Sequence, residues 1–234
     1  MERRLEPELL DELPAADPKA AGSRADLRRL NFIMGHAGIL SRAFRHQFAG
    51  KPVPGRPLRV VELGAGDGSL ALELARRWSA FGVAGELMLI DRQNLLSPET
   101  PRAFAALNWS VQVAESDVFD WFETPAPPAD VMFANLFLHH LAEDRLRALL
   151  RLAASRTSLF LACEPRRATL ALTASRLLGL IGCNAVTRHD AVVSVRAGFV
   201  TGELSRLWPE NTGWKLGDQP AGLFSQCFTA LRHG

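Results

Sequence analysis

Between residues 58 and 165 the chain alternates short, almost wholly apolar runs with stretches in which apolar positions recur every three or four residues. LRVVEL (58–63), GELMLID (85–91), WSVQVAES (109–116), ADVMFANLF (129–137) and TSLFLACE (157–164) have the length and composition of strands. SLALELARRW (69–78) places Leu70, Leu74 and Trp78 four residues apart, and EDRLRALLRLAA (143–154) is amphipathic with a helical period. SPETPRAFAAL (97–107) reads as a helix with Ser97 as N-cap and Pro98 at its first position, and TGELSRLW (201–208) as a shorter one. The closing segments, GWKLGD (213–218) and GLFSQCFTALR (222–232), read as an antiparallel pair. Strand and helix in alternation predict an α/β fold, a mostly parallel sheet with helices on both faces.

Two blocks fall outside this alternation. Residues 24–48 form one long helical pattern or two shorter ones, ended by the turn KPVPGRP (51–57), and residues 166–200 are interposed between the fifth strand and the helix at 201–208. With 234 residues the chain suits one domain with an appended cap. Its net charge of +2 gives no general attraction to nucleic acid, and the 24 arginines against 3 lysines read as coding bias. Cys163, Cys183 and Cys227 stand far apart, a pattern of neither a zinc site nor a disulfide framework. MERRLEPELLDELP lacks the apolar core of a signal peptide, and the longest apolar stretch (168–182) is broken by Arg176 and too short to span a bilayer. A cytoplasmic protein with no membrane and no nucleic-acid partner is expected.

The chemistry centres on VVELGAGDGSL (60–70), a strand, a glycine turn and a helix. Such a turn brings ligands close to bare backbone and aims helix N–H groups at them. The dinucleotide spacing G-x-G-x-x-G is not met: the glycines are Gly64, Gly66 and Gly68, and Ser69 stands in the third place. Glu62, inside the strand end, would repel a phosphate and welcome a cation.

An acid followed by x-G-x-G-x-G resembles motif I of the class I S-adenosylmethionine-dependent methyltransferases. That resemblance covers residues 58–165 and the terminal hairpin, and implies a Rossmann-like, seven-stranded, mostly parallel sheet with an antiparallel hairpin. It implies an N-terminal helical cap (1–57), an S-adenosylmethionine-binding core (58–165), a substrate-cap insertion (166–200) and a closing helix and hairpin (201–234). For the N-terminal block, helices simply packed on the sheet edge are an equal reading. The cofactor residues so implied begin with Glu62, Gly64, Ala65, Gly66 and Gly68. Asp91, with Arg92 beside it, ends the second strand and would accept from the ribose hydroxyls. Asp117 ends the third and would accept the adenine amino group, with Val118 in contact. Asn135 and Leu136 end the fourth, near the methyl group. Each acid alone also reads as a helix N-cap; three in register after successive strands do not.

The acceptor is read by elimination and by likeness. NLFL (135–138) lacks the prolines of base-directed amino methyltransferases, and Glu143 and Asp144 open a helix, where acids complement its dipole, so no metal is expected. LFLHHL (136–141) resembles quinone-pathway and related small-molecule enzymes, in which a His pair is frequent here. Two sites for a general base stand open: His140, facing the pocket or the helix start, and His189 with Asp190, an acid that could orient and charge it or merely cap a helix. Tyr is absent from the chain and cannot serve. Phe32, Phe44, Phe48, Leu177, Leu178 and Leu180 in the cap blocks point to an apolar, aromatic acceptor. ACEPRR (162–167) and residues 182–199 resemble small bacterial methyltransferases of secondary metabolism, found beside type III polyketide synthases, which modify phenolic or quinone-type products. The expected function is methyl transfer to such a small molecule. A non-catalytic cofactor-binding or regulatory protein and, less favoured, a nicotinamide-dependent oxidoreductase are the alternatives, and a homodimer is left open.

Overall fold

A computed structural model describes residues 1–48, 55–209 and 213–233. In chain order the elements are α1 (Leu9–Glu12), α2 (Pro18–Met34), α3 (His36–Phe48), β1 (Leu58–Leu63), α4 (Ser69–Ser79), β2 (Gly85–Asp91), α5 (Thr100–Ala105), β3 (Trp109–Glu115), α6 (Val118–Glu123), β4 (Ala129–Asn135), α7 (Glu143–Arg156), β5 (Thr157–Pro165), α8 (Thr169–Arg176), α9 (Ala185–Ala197), α10 (Glu203–Leu207), β6 (Trp214–Ala221) and β7 (Ser225–Arg232). Short 3-10 turns occupy Leu138–His140 and Leu178–Ile181.

The seven strands form one sheet in the order β3-β2-β1-β4-β5-β7-β6. β1 to β5 run parallel, while β7 enters antiparallel between β5 and β6. The expected α/β class, sheet and terminal hairpin are thus present. β1, β4 and β5 are buried along nearly their whole length, as parallel strands covered on both faces must be. β6, at the edge, carries Lys215, Gly217 and Pro220, residues that discourage further pairing. One face is packed by Phe44, Trp78, Phe104, Trp109 and Phe133, the other by Trp121, Leu146, Phe160, Trp208 and Phe228. β1 lies between β2 and β4, so the strand order reverses there. In open sheets a crevice forms at that reversal, outside the carboxyl ends of the strands.

Several boundaries differ from the sequence reading. The helix expected at 97–107 is confined to Thr100–Ala105, with Pro101 rather than Pro98 in its first turn. The Ser97 carbonyl accepts the Thr100 N–H at 3.0 Å, but its hydroxyl caps no N–H and instead meets that of Thr100 at 3.1 Å. β4 ends at Asn135, two residues early, because Leu136 turns into the left-handed region at φ 51°. The helical pattern of 24–48 is two helices, and the first begins at Pro18, capped by Asp17 through the Lys19 N–H. Gly35, at φ 69°, separates them. Residues 51–54 of the expected KPVPGRP turn lie outside the described residues. α6, too short for periodicity to show, follows the N-cap Asp117, which accepts from the Phe119 N–H.

The N-terminal block packs in two places. α3 packs on α4 and on β5, with Phe44 stacked on Trp78 of α4 at a ring-centroid distance of 4.3 Å, while residues 1–34 reach the carboxyl ends of the strands and pack against α9. Phe44→Ala should therefore lower unfolding free energy by about 3–5 kcal/mol, the range for a buried Phe truncated in a packed core. Urea denaturation followed by tryptophan fluorescence measures this; a loss below about 1 kcal/mol would show that α3 is not part of the cooperative core.

Candidate active site

The glycines of the β1–α4 turn serve different ends. All three take positive φ, at 69°, 55° and 70° for Gly64, Gly66 and Gly68, which branched or bulky side chains resist. A Cβ on Gly64 would stand 2.4 Å from the Phe137 ring, and one on Gly68 would crowd Leu96 and Leu89 at 2.9 and 3.0 Å. A Cβ on Gly66 would meet nothing within 4 Å. Gly64 and Gly68 are bare so that protein can approach; Gly66 alone opens on free space. That space is a cleft of about 860 Å³ at the strand reversal.

Acids from successive strand ends face the cleft. Asp91 accepts the Gly66 N–H at 2.8 Å with one oxygen and the Gln93 N–H at 3.0 Å with the other, so it shapes the glycine turn while lining the cavity. Asp117 is both an N-cap and a cleft residue, with Arg145 at 3.8 Å. Glu62 is 2% exposed and its Oε2 has no hydrogen-bond partner among the described residues. Burial, reinforced by Asp67 and Asp91, pushes its pKa well above the usual carboxylate range. Asn135 is similar: its amide donates to Asn31 at 3.3 Å, and its Oδ1 is buried without a hydrogen-bond partner among the described residues. A buried orphan acceptor is expensive unless a ligand supplies the donor.

These features fit S-adenosylmethionine: a desolvated carboxylate for a cationic ligand, bare backbone at Gly66, and acids beyond β2 and β3 for ribose hydroxyls and an adenine amino group. Ala65, Val118, Leu136 and Arg92 also line the cleft, Arg92 facing Asp11 at 3.7 Å. Gly68 does not; it turns its Cα toward the packing beneath the turn.

At the other end of the cleft the chain after β4 is gathered by Glu164, the fully buried acid that closes the apolar run of β5. Its Oε1 accepts the N–H groups of Phe137 (3.1 Å) and Leu138 (2.9 Å), and its Oε2 accepts from His139, backbone at 3.4 Å and ring Nδ1 at 2.7 Å. Glu8 meets the other face of His139, 3.3 Å from Nε2. Burial opposes charge on this imidazole, but its bonds to Glu164 and Glu8 prevail and hold its pKa at about 9. The neighbouring His140 lines the cleft, and burial followed by the charge of His139 pushes its pKa below the ordinary value. A histidine cation and a neutral histidine therefore sit side by side, ring centroids 4.3 Å apart.

His189 and Asp190 stand apart from this site. α9 begins at Ala185 under an Asn184 cap, so both residues lie inside the helix rather than at its start. His189 is largely exposed, and neither residue lines the cleft. Asp190 accepts the N–H groups of Leu9 and Leu10 at 2.8 and 3.0 Å, docking α1, while His189 Nδ1 lies 2.9 Å from it. The cap residues expected to line an apolar pocket do not line it either. Phe32, Leu177 and Leu180 are exposed, Phe44 is in the core, Leu178 lies off the cleft, and the side chain of Phe48 is outside the described residues. The apolar walls are instead Leu5, Leu10, Leu27, Leu141 and Val193. Sequence reasoning missed Glu8 and Glu164. An acid ending an otherwise apolar strand was a signal for Glu164; nothing local marked Glu8.

Two outcomes follow for the cofactor end. Glu62→Gln should weaken S-adenosylhomocysteine binding by about 10–100-fold, since hydrogen bonds to charged groups are worth about 1.5–3 kcal/mol. The same change should raise the melting temperature, because an acid whose folded pKa is raised loses stability as pH climbs above its unfolded value near 4.3. Calorimetry and thermal melts at pH 4 and 8 test both, and equal melting at pH 8 would show that the carboxylate is not a burden. Asp91→Ala should weaken binding by about 1–3 kcal/mol through its lost charge-assisted acceptors; unchanged affinity in a folded variant would remove it from the site.

Comparison with known proteins agrees with this geometry. Residues 60–157 match the family model described as "Methyltransferase domain". A stretch of 89 residues is 36% identical to trans-aconitate 2-methyltransferase of Rhodococcus jostii (strain RHA1), covering 38% of this chain and 30% of the relative, so the match spans under a third of that protein's length. The fold is that of the plantazolicin methyltransferase BamL, solved with a triazolic desmethylPZN analog and S-adenosylhomocysteine (TM-score 0.65, 13% identity, 94% of this chain and 93% of that one). It is similar also to mitomycin 7-O-methyltransferase MmcR (TM-score 0.58, 20% identity, 95% and 60%). Residues 60–157 thus match a methyltransferase domain, set in a fold shared with solved methyltransferases.

Proposed function

We propose that this protein methylates a hydroxyl oxygen of a small, apolar, aromatic acceptor of phenol or quinone type, with His140 as the base. The observation that carries the reading is an imidazole at the cleft wall with both ring nitrogens uncommitted. His140 Nδ1 lies 3.5 Å from Asp11 and its Nε2 4.0 Å from Glu8, distances at which neither nitrogen is committed to a strong bond. When bound, S-adenosylmethionine supplies a methyl carbon whose bond to sulfur breaks, the electron pair returning to sulfur, as the acceptor oxygen forms its bond to that carbon. The chain's part is to hold the two partners in line and to take the hydroxyl proton on His140. Leu5, Leu10, Leu141 and Val193 offer an apolar wall and exclude water from this end.

The charges argue against an anionic acceptor. Arg28 is paired with Asp67 at 2.6 Å, Arg92 and Arg145 face Asp11 and Asp117 at 3.7 and 3.8 Å, and Arg24, which also lines the cleft, donates to the Ala15 carbonyl. Glu6, Glu8 and Asp11 line the acceptor end. Trans-aconitate, the acceptor in the relative's name, carries carboxylates that this wall would repel.

His140→Ala should lower turnover on a phenolic panel by about 10²–10⁴-fold with cofactor affinity nearly constant. His189→Ala should leave turnover per folded molecule within a few-fold. In the wild type the rise of kcat/KM with pH should be centred below about 6.5, since the His140 pKa is depressed and its base form persists to lower pH. If His140→Ala loses only a few-fold, or carboxylates outcompete phenols, the reading fails. An absence of turnover with every acceptor, despite tight cofactor binding, would favour a regulatory protein.

A further inference from the structure

The N-terminal segment is pinned across the acceptor end of the cleft at several points. Arg4 donates its backbone N–H to the Arg196 carbonyl at 3.1 Å, and the Arg3 guanidinium reaches the carbonyls of Ala197 (2.8 Å), His139 (3.1 Å) and Leu141 (3.0 Å). Asp190 holds the amides of Leu9 and Leu10. The product of these anchors is the placement of one carboxylate. Glu8 Oε1 accepts from Ser194 and lies 3.3 Å from His139 Nε2, and its Oε2 lies 4.0 Å from His140 Nε2.

The charges then form a chain: Glu164, His139, Glu8, His140. Two carboxylates and one imidazolium leave one net negative charge while His140 is neutral. A proton arriving on His140 brings the group to neutrality. Without Glu8, the same proton would make a second cation beside His139, with only Glu164 to offset the two. The other charged groups around His140 are Asp11 on α1, opposed by Arg92, and the Arg3 guanidinium against the His139 and Leu141 carbonyls. None of these bridges both imidazoles.

We propose that Glu8 is a positioning residue of the acceptor site: carried in by the N-terminal segment, it bridges the His pair and makes proton uptake by His140 electrostatically favourable. This rests on His140 being the base. It gives the N-terminal segment a part in the chemistry as well as in covering the cleft.

The test uses the full chain with its histidine rings labelled for NMR titration, alongside pH–rate profiles. Glu8→Gln should shift the His140 titration to lower pH, because an acid that favoured its charged form is gone while Glu164 still holds His139 charged. The acid limb of kcat/KM should move the same way, and the plateau should fall by about 10–100-fold as the base weakens. Cofactor affinity should be unchanged. Asp190→Ala, which frees the segment without touching the His pair, should reproduce the same shift, and Glu8→Asp should recover part of the rate. A Glu8→Gln protein whose His140 titrates as in the wild type overturns the proposal, as does a rate loss that only tracks the unfolded fraction. Stoichiometric uptake of zinc or manganese that requires Glu8 and both histidines also overturns it, since the cluster would then be a metal site. If the NMR shift appears but no hydroxyl acceptor turns over, the role of Glu8 stands and the proposed reaction falls.

Discussion

Glu164 is a charged residue that follows the apolar run Leu159–Cys163 of β5, and the cleft depends on how that charge is satisfied. Its two oxygens take three backbone N–H groups and one imidazole from the chain just after β4. Those bonds fold Phe137–His139 back toward β5 and bring Leu136 into the left-handed region, where a non-glycine residue sits only under constraint. They also set the Phe137 ring against Gly64, in the space a Cβ would need. The glycine turn of β1 and the histidine turn of β4 are thus fitted to each other across the strand reversal. A carboxylate so fully paired holds its pKa down despite burial, while breaking such a pairing is what makes buried ion pairs costly.

Glu62, two residues before Gly64 of the turn, presents the opposite case. It is as deeply buried as Glu164 but has an oxygen without a partner among the described residues. The contrast separates structure from function: one acid is satisfied by its own fold, the other is left for something the fold does not contain. Sites held in readiness for a ligand commonly cost stability in its absence.

The cofactor end was legible in the sequence because its residues follow a rule of the fold. Each strand of a parallel sheet delivers its last residue to the same edge, so Glu62, Asp91, Asp117 and Asn135, read as strand ends, had to share one crevice. The acceptor end obeys no such rule. Its walls come from residues 5–11, 137–141 and 193–197, which meet only because α1 and α9 pack together. His189 and Asp190 looked chemical as adjacent letters, yet helical geometry directs Asp190 to cap α1 and leaves His189 in solvent. The apolar cap residues misled for a related reason. Periodicity shows that a helix has an apolar side, but whether that side meets the cleft, the core or solvent is decided by packing.

How the cap is held bears on how ligands enter. α2 buries only Ala20, Ser23 and Leu30, two of them small, and its attachment to α9 runs largely through polar bonds. Asn184 donates its amide to the Lys19 carbonyl, and Thr187 joins Ser23 and Asp26. The N-terminal segment is tied in the same manner, by guanidinium and carboxylate bonds to backbone. Little apolar area is exposed when such contacts part, and water replaces the polar partners, so local opening is inexpensive relative to global unfolding. The sheet below, by contrast, is covered by packed aromatic rings, Trp78 against Phe44 and Phe133 on one face and Phe160 against Trp208 and Phe228 on the other, and parting these would expose far more apolar area. The acids of the cleft therefore sit on strand ends of the packed sheet, while Glu8 and the apolar wall beside it belong to segments held largely by polar bonds. In the reaction proposed above, such a cleft would keep its geometry for the cofactor on the sheet and owe its proton-accepting arrangement to the docked N-terminal segment.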